Sequence, residues 1–157
     1  MLANWAGRAA FHLAPIIDAM IGELKKSDRL FADETTVPVL APGTGKTRKD
    51  YLWAVVRDQR GWGGTDPPIV VFQHSRSRST ETAQKIFKEF SGGTLTVDGY
   101  TGYDSLADPK RTNTPWGISY CWVHWRRRFV EFKRTTESPL CQEMIGKRRL
   151  STLREWC

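Results

Sequence analysis

Two adjacent acids, Asp33 and Glu34, interrupt a run of branched, aromatic and small residues, and this interruption constrains the fold more than any other feature of the 157-residue chain. The run "LFADETTVPVL", residues 30–40, has the composition of a β-strand, in which side chains alternate between two faces. Asp33 therefore shares a face with Phe31, Thr35 and Val37, while Glu34 points the other way with Ala32 and Thr36. Charge in such a strand is unfavourable unless it is paired or coordinated. At most one of the two acids can belong to a given site.

The segments around this strand predict a mixed α/β order. Upstream, Leu13, Ile16, Ile17, Met20, Ile21 and Leu24 recur at helical spacing, Pro15 marks a possible kink, and Lys25, Lys26, Asp28 and Arg29 close the helix. Downstream, "APGTGKTRKD" reads as a loop and "YLWAVVRD" as a second strand, together a long-looped hairpin. "QRGWGGTDPP" is turn material and "IVVFQHS" a third strand. From Ser79 the period changes: Glu81 lies in a first turn, Ala83, Ile86, Phe87 and Phe90 line one helical face, and "SGG" stops the helix. "TLTVD" then runs as a strand into the turn "GYTGYD", "GISYCWV" reads as another strand, and "HWRRRFVEFKR" continues as a helix. The expected order is helix, three strands, helix, strand, strand, helix, in one domain with no internal repeat.

Composition narrows the partners. With 39% apolar and 26% charged residues the chain has a globular balance and not that of a disordered one. Lys and Arg outnumber Asp and Glu by 24 to 17, a net charge of +7, which favours a polyanionic partner with nucleic acid as the first candidate. The surplus is densest in "WRRRFVEFKR" and "GKRRLSTLR", where it can follow a phosphate backbone, although one such run alone also suits a solvated helix face. No window approaches the roughly 20 apolar residues of a membrane span. The N-terminus lacks the order of a secretory signal, so a cytoplasmic location is expected. Cys121, Cys141 and Cys157 are odd in number and widely spaced, which argues against a disulfide framework.

Three motifs carry possible chemistry. "PGTGKT" matches the end of a phosphate-binding loop, but position 40 is Leu where the first glycine belongs, and a strand follows where a helix is required. Lys46, Arg48 and Lys49 are then candidate contacts to a DNA backbone, and a solvated loop accounts for them equally well. Cys121 and His124 have the spacing of half a zinc site, but no second pair follows at suitable spacing, so a cysteine ending a strand and a histidine opening a helix is the better reading. Asp33 and Asp98, in "FADETTVPV" and "LTVDGY", are the strongest constellation. Two carboxylates brought together from different strands ask for a shared cation, and Mg²⁺ takes carboxylate oxygens as its ligands. For Asp98, which precedes Gly99 in a turn, a strand end facing water is the competing explanation.

Long ordered stretches, "LANWAGRAAFHLAPIIDAM", "SDRLFADETTVPVLAPGTGKTRKDYLWAVVRD", "GGTDPPIVVF", "FSGGTLTVDGYTGYDSLADP" and "YCWVHWRRRFVEF", resemble the central region of transposases of the insertion-sequence-66 family over residues 2–146. The resemblance implies an RNase H-like fold, a mixed sheet flanked by helices with its first and fourth strands adjacent. It also implies a D-D-E triad binding two divalent metals, Mg²⁺ or Mn²⁺, for in-line attack on a DNA phosphodiester. By motif match Asp33 and Asp98 are the first two acids, both catalytic and metal-binding, and Glu34 is the neighbour turned away. DNA is the implied partner, at transposon ends and target, with full-length transposase or a second copy as further partners. Arg126, Arg127 and Arg128 of "WRRRF" join Lys46, Arg48 and Lys49 as the expected DNA contacts.

The resemblance also defines what is missing. The family's third acid lies in a segment resembling "DNNxxER" downstream of "CWVH", and no such segment occurs here; Glu131 has a suggestive spacing from Asp98 but the wrong context. The expected organisation is an N-terminal helical segment over 1–29, an incomplete RNase H-like core over 30–146, and an atypical tail over 147–157. "KRRLSTLREWC" in that tail reads as a shifted frame after a small insertion or deletion. Two functions follow as expectations: a fragment of a DDE transposase, inactive alone for want of its third acid, or a non-catalytic basic module that binds DNA or an intact transposase.

Overall fold

Five strands form one mixed sheet, and side-chain alternation decides which of its faces is covered. The structure, a computed structural model, describes residues 2–110, 113–136 and 138–146. Helix α1 (Leu2–Lys25) leads into strands β1 (Arg29–Ala41), β2 (Lys46–Arg57) and β3 (Ile69–Ser75). Helix α2 (Thr80–Phe87), strands β4 (Gly93–Val97) and β5 (Trp116–Tyr120), and helices α3 (Trp122–Thr135) and α4 (Pro139–Gly146) complete the order. Short 3₁₀ turns occupy Arg60–Trp62 and Thr101–Leu106. The expected sequence of elements is observed, with α4 as an addition; the segment 147–157 lies outside the described residues.

The strands lie in the order β3-β2-β1-β4-β5. β1 is antiparallel to β2 and parallel to β4, which is itself parallel to β5. The first and fourth strands are thus neighbours, in the register Arg29 with Thr94 and Phe31 with Thr96. Their closest approach depends on Gly93: its φ is +128°, and a Cβ there would stand 2.1 Å from the carbonyl oxygen of Asp28. The Thr94 N–H donates to that same oxygen at 2.7 Å.

One sheet face carries the core. Leu30 and Ala32 of β1, Trp53 and Val55 of β2, and Leu95 and Val97 of β4 are buried against Leu24 at the end of α1, Ala83 and Phe87 of α2, and Tyr103 and Leu106. Trp53 and Tyr103 meet edge to face at 5.6 Å, and each such buried side chain contributes about 2–3 kcal/mol from area alone. Helix α2 starts at Ser79, whose hydroxyl accepts from the Thr82 N–H, and it ends at Phe87; Phe90 packs into the core from the turn beyond. The opposite sheet face is more open: Val70 and Phe72 of β3 are 44% and 62% exposed. Most of α1 is exposed as well, and only its last turns pack against the core.

The β1–β2 connection corrects the sequence reading. In place of a loop over 41–50, the turn is Pro42–Gly45 alone, and pairing runs unbroken from Phe31 with Val56 to Ala41 with Lys46. Gly43 and Gly45 take φ values of +80° and +65°, and the Thr44 hydroxyl closes the turn on the Ala41 carbonyl at 2.8 Å. Lys46, Arg48 and Lys49 therefore sit on a strand. Because β3 pairs only with Tyr51–Arg57 and β4 only with Arg29–Phe31, the distal part of the hairpin projects beyond the sheet as a two-stranded arm.

Candidate functional site

Alternation along β1 puts Asp33 on the open face and Glu34 on the core face, and the surroundings of the two acids differ accordingly. Asp33 is exposed, beside Ala54 of β2, with its Oδ1 accepting the Glu34 N–H at 2.9 Å. Asp98 follows the last residue of β4. The β1–β4 register carried two residues beyond Phe31 and Thr96 brings Asp98 level with Asp33. Both acids line one cleft of about 610 Å³, walled by Phe31, Ala54, Val56 and Trp62, with Cys121 and His124 at the start of α3.

Asp98 is not merely a strand end facing water. Its Oδ1 accepts the Tyr100 N–H at 2.8 Å, a turn that Gly99 permits with a φ of +92°, and its Oδ2 lies 3.4 Å from a terminal guanidinium nitrogen of Arg78. The donor set, the Asp33 and Asp98 carboxylates on one cleft, suits a hard divalent cation held through one or two carboxylates. Among the described residues no three His, Cys, Asp or Glu side chains are grouped to hold a metal ion together. Glu131 is exposed on α3 and does not line the cleft.

Glu34 is turned away from the cleft, as alternation requires, but it is not idle. Its side chain is 0% exposed, with one oxygen accepting from Arg78 Nε and the other from the Tyr103 hydroxyl. Burial pushes the Glu34 carboxyl above its ordinary range, while the hydrogen bonds from Tyr103 and Arg78 pull the other way. Burial and the Glu34 carboxylate together push the Tyr103 phenol well above its usual value. Burial opposes the charge on Arg78, but the Glu34 carboxylate outweighs it and raises the guanidinium further. The Tyr100 ring lies 3.9 Å from the guanidinium carbon, and its hydroxyl donates to the Arg78 carbonyl. Arg78, Tyr100 and Tyr103 were not legible as site residues. An acid at a core position signals that some cation must come to it, yet nothing local says which.

The basic residues are dispersed. Lys46 lies eight residues along β2 from Ala54, roughly 27 Å at the usual strand rise. Arg48 is tied to Asp50, with Nε to Oδ1 at 2.9 Å, and Asp50 is 1% exposed and also meets His74 Nε2 at 2.8 Å. The hydrogen bonds from Arg48 hold the Asp50 carboxyl below its ordinary range despite its desolvation. The Lys49 ammonium stands 5.8 Å from the Tyr51 ring centre. On α3, Arg127 and Arg128 are exposed, whereas Arg126 is half-buried with no hydrogen-bond partner for Nε among the described residues. The sequence reading of "GISYCWV" as strand is corrected here: β5 stops at Tyr120, Cys121 caps α3, and the helix opens at Trp122, which leaves His124 in its first turn. His124 Nδ1 is buried and has no partner among the described residues. Arg29 stacks on Trp62 at 4.7 Å, and Asp58, a third carboxylate lining the cleft, is paired there with Arg60 at 2.6 Å, which draws its carboxyl down to about 2.

Comparison with known proteins aligns residues 1–154 with the family described as "Transposase IS66 family". An uncharacterized protein of Sinorhizobium fredii, y4qI, is 40% identical over 134 residues, 83% of this chain and 25% of the relative. A second from the same organism, y4jD, is 38% identical over 147 residues, 92% of this chain and 29% of the relative. A third, y4hP, is 33% identical over 146 residues, 93% and 26% respectively. The chain thus spans about a quarter of the length of the curated relatives it matches.

Proposed function

Because the chain belongs to the IS66 family of transposases, we propose that it is part of an RNase H-like catalytic core whose Asp33 and Asp98 hold a divalent cation, Mg²⁺ or Mn²⁺, for phosphodiester chemistry on DNA. The observation that carries this reading is the convergence of the two carboxylates on one cleft from the adjacent parallel strands β1 and β4. The strand order β3-β2-β1-β4-β5, with only β2 running against its neighbours, supports the RNase H-like assignment. When bound, the metal would polarise a phosphoryl oxygen and favour a nucleophilic water or 3′-hydroxyl. The chain's own contribution is to orient Asp98 through Tyr100 and Arg78 and to hold Asp33 on a rigid strand beside an apolar wall.

Asp33, Asp58 and Asp98 all line the cleft, but Asp58 is paired with Arg60 and the described carboxylates form no three-ligand cluster, so the chain alone should cleave DNA orders of magnitude more slowly than a complete three-acid site. The test is a nicking assay on DNA carrying the element's ends, with Mg²⁺ or Mn²⁺, comparing the native chain with Asp33→Asn. Metal-dependent nicking that vanishes in the variant supports catalysis by this site. Nicking that survives the variant refutes it.

A second reading, a basic DNA-binding module, is favoured by the exposed Arg127 and Arg128 on α3 and by the projecting arm with Lys46 and Lys49. Salt-sensitive retention of DNA without any cleavage is its signature. A cytoplasmic site of action is part of the same proposal; no described helix is long and apolar enough to cross a membrane.

A further inference from the structure

We propose that Arg78 is a positioning residue of the carboxylate site, a single guanidinium that reaches past the end of β4 to bind buried Glu34 through Nε and to fix the Asp98 carboxylate through a terminal nitrogen. The proposal rests on the reading that Asp33 and Asp98 hold a divalent cation.

Asp98 sits in a turn, one residue beyond the β4 ladder, where a carboxylate would otherwise sample several rotamers. Two contacts remove that freedom: the Tyr100 N–H takes Oδ1, and Arg78 takes Oδ2. Arg78 is itself held three ways. Its Nε donates to Glu34, its guanidinium lies on the Tyr100 ring, and its carbonyl accepts the Tyr100 hydroxyl. The planar fork of an arginine can bond two carboxylates at once in fixed directions, which a lysine ammonium on a flexible stem cannot do.

The buried glutamate then has a function. A bare cation next to Asp98 would repel an incoming metal ion. Paired with Glu34, whose side chain is fully enclosed, Arg78 orients Asp98 while adding almost no net charge to the cleft. Glu34 does not enter the cleft, yet its pairing lets a guanidinium serve there. This is the arrangement expected of outer partners that set the direction of a metal-binding carboxylate.

The charge argument dictates the test. Arg78→Gln alone leaves Glu34 buried without its ionic partner, which confounds a loss of orientation with a loss of folding. Glu34→Gln with Arg78→Gln keeps the net charge of the native chain and removes the orphaned carboxylate, so any change at Asp98 is one of orientation. Mn²⁺ is titrated into the full chain, and paramagnetic broadening of the Asp33 and Asp98 amide signals is followed, with thermal unfolding as the control for folding. The double variant is expected to fold and to bind Mn²⁺ about ten-fold more weakly. Arg78→Lys keeps the charge and is expected to lose affinity in the same direction. Native Mn²⁺ affinity in either folded variant overturns the proposal, since Arg78 would then be only the counter-ion of Glu34. Asp98→Asn separates this outcome from failure of the parent reading: if the native chain shows no broadening, or Asp98→Asn leaves it unchanged, the metal site itself is refuted and the proposal with it.

Discussion

Asp33 and Glu34 are adjacent on one strand, yet one lines the cleft and the other is sealed behind the sheet. The difference gives Glu34 a distinctive pH signature. Burial raises its folded-state pKa above the ordinary 4.5, so the folded form binds that proton more tightly than the unfolded chain does. Ionisation of Glu34 therefore works against folding as pH rises from about 4.5 through the raised value. Asp50 has the opposite sign: its lowered pKa gives stability that is present above 3.8 and is lost as pH falls through the folded value. The melting temperature of Glu34→Gln, measured against the native chain between pH 4 and 7, should shift in the variant's favour as pH rises. A difference that moves the other way would show that the hydrogen bonds from Arg78 and Tyr103 outweigh desolvation. At this scale the sequence revealed much, because strand alternation alone assigned Asp33 and Glu34 to opposite faces. It did not reveal Arg78, which lies 44 residues from Glu34 and meets it only through the fold.

At the level of elements, the site depends on how closely β1 and β4 lie at their starts, and Gly93 sets that distance. Gly93→Ala would force a Cβ into the Asp28 carbonyl and impose a strained φ, and we expect it to cost more than about 3 kcal/mol, read as a large drop in the unfolding midpoint. The β1–β2 arm is a separate case. Its two long strands were legible from alternation, but the length of the turn was not: lysines, arginine and threonine in "TGKTRKD" look like loop, and they pair because the hairpin glycines reverse the chain within four residues. Two-stranded ribbons are marginal alone, and the Arg48–Asp50–His74 cluster braces this one where it leaves the sheet. Replacing residues 38–49 with a two-residue turn, together with Asp50→Asn so that no buried carboxylate loses its Arg48 partner, should leave the unfolding transition cooperative, since no core residue is removed. DNA retention by that variant should weaken and show a shallower dependence on salt, because Lys46 and Lys49 leave with the arm. Unchanged retention across a salt series would take the arm out of the DNA interface.

For the molecule as a whole, the order of elements and the mixed sheet were legible because periodicity switches between two and 3.6 residues where helix meets strand, and Gly- and Pro-rich turns separate strand from strand. The arrangement of strands was not, since no pattern within a strand names its neighbour; the adjacency of β1 and β4 came only with the family resemblance. The charge surplus of +7 was equally visible, but its division between arm, α3 and partly buried pairs such as Arg48 with Asp50 was not. All of this organisation matters to function through one claim, that the carboxylates of Asp33 and Asp98 share a cation. The most direct measurement is a crystal structure of the chain soaked in Mn²⁺, with anomalous scattering recorded at the manganese edge. The account predicts a peak in the cleft at about 2.1–2.3 Å from an oxygen of each aspartate, lost in Asp33→Asn. A cleft with no peak, or a peak on only one of the two that survives the substitution, would contradict it.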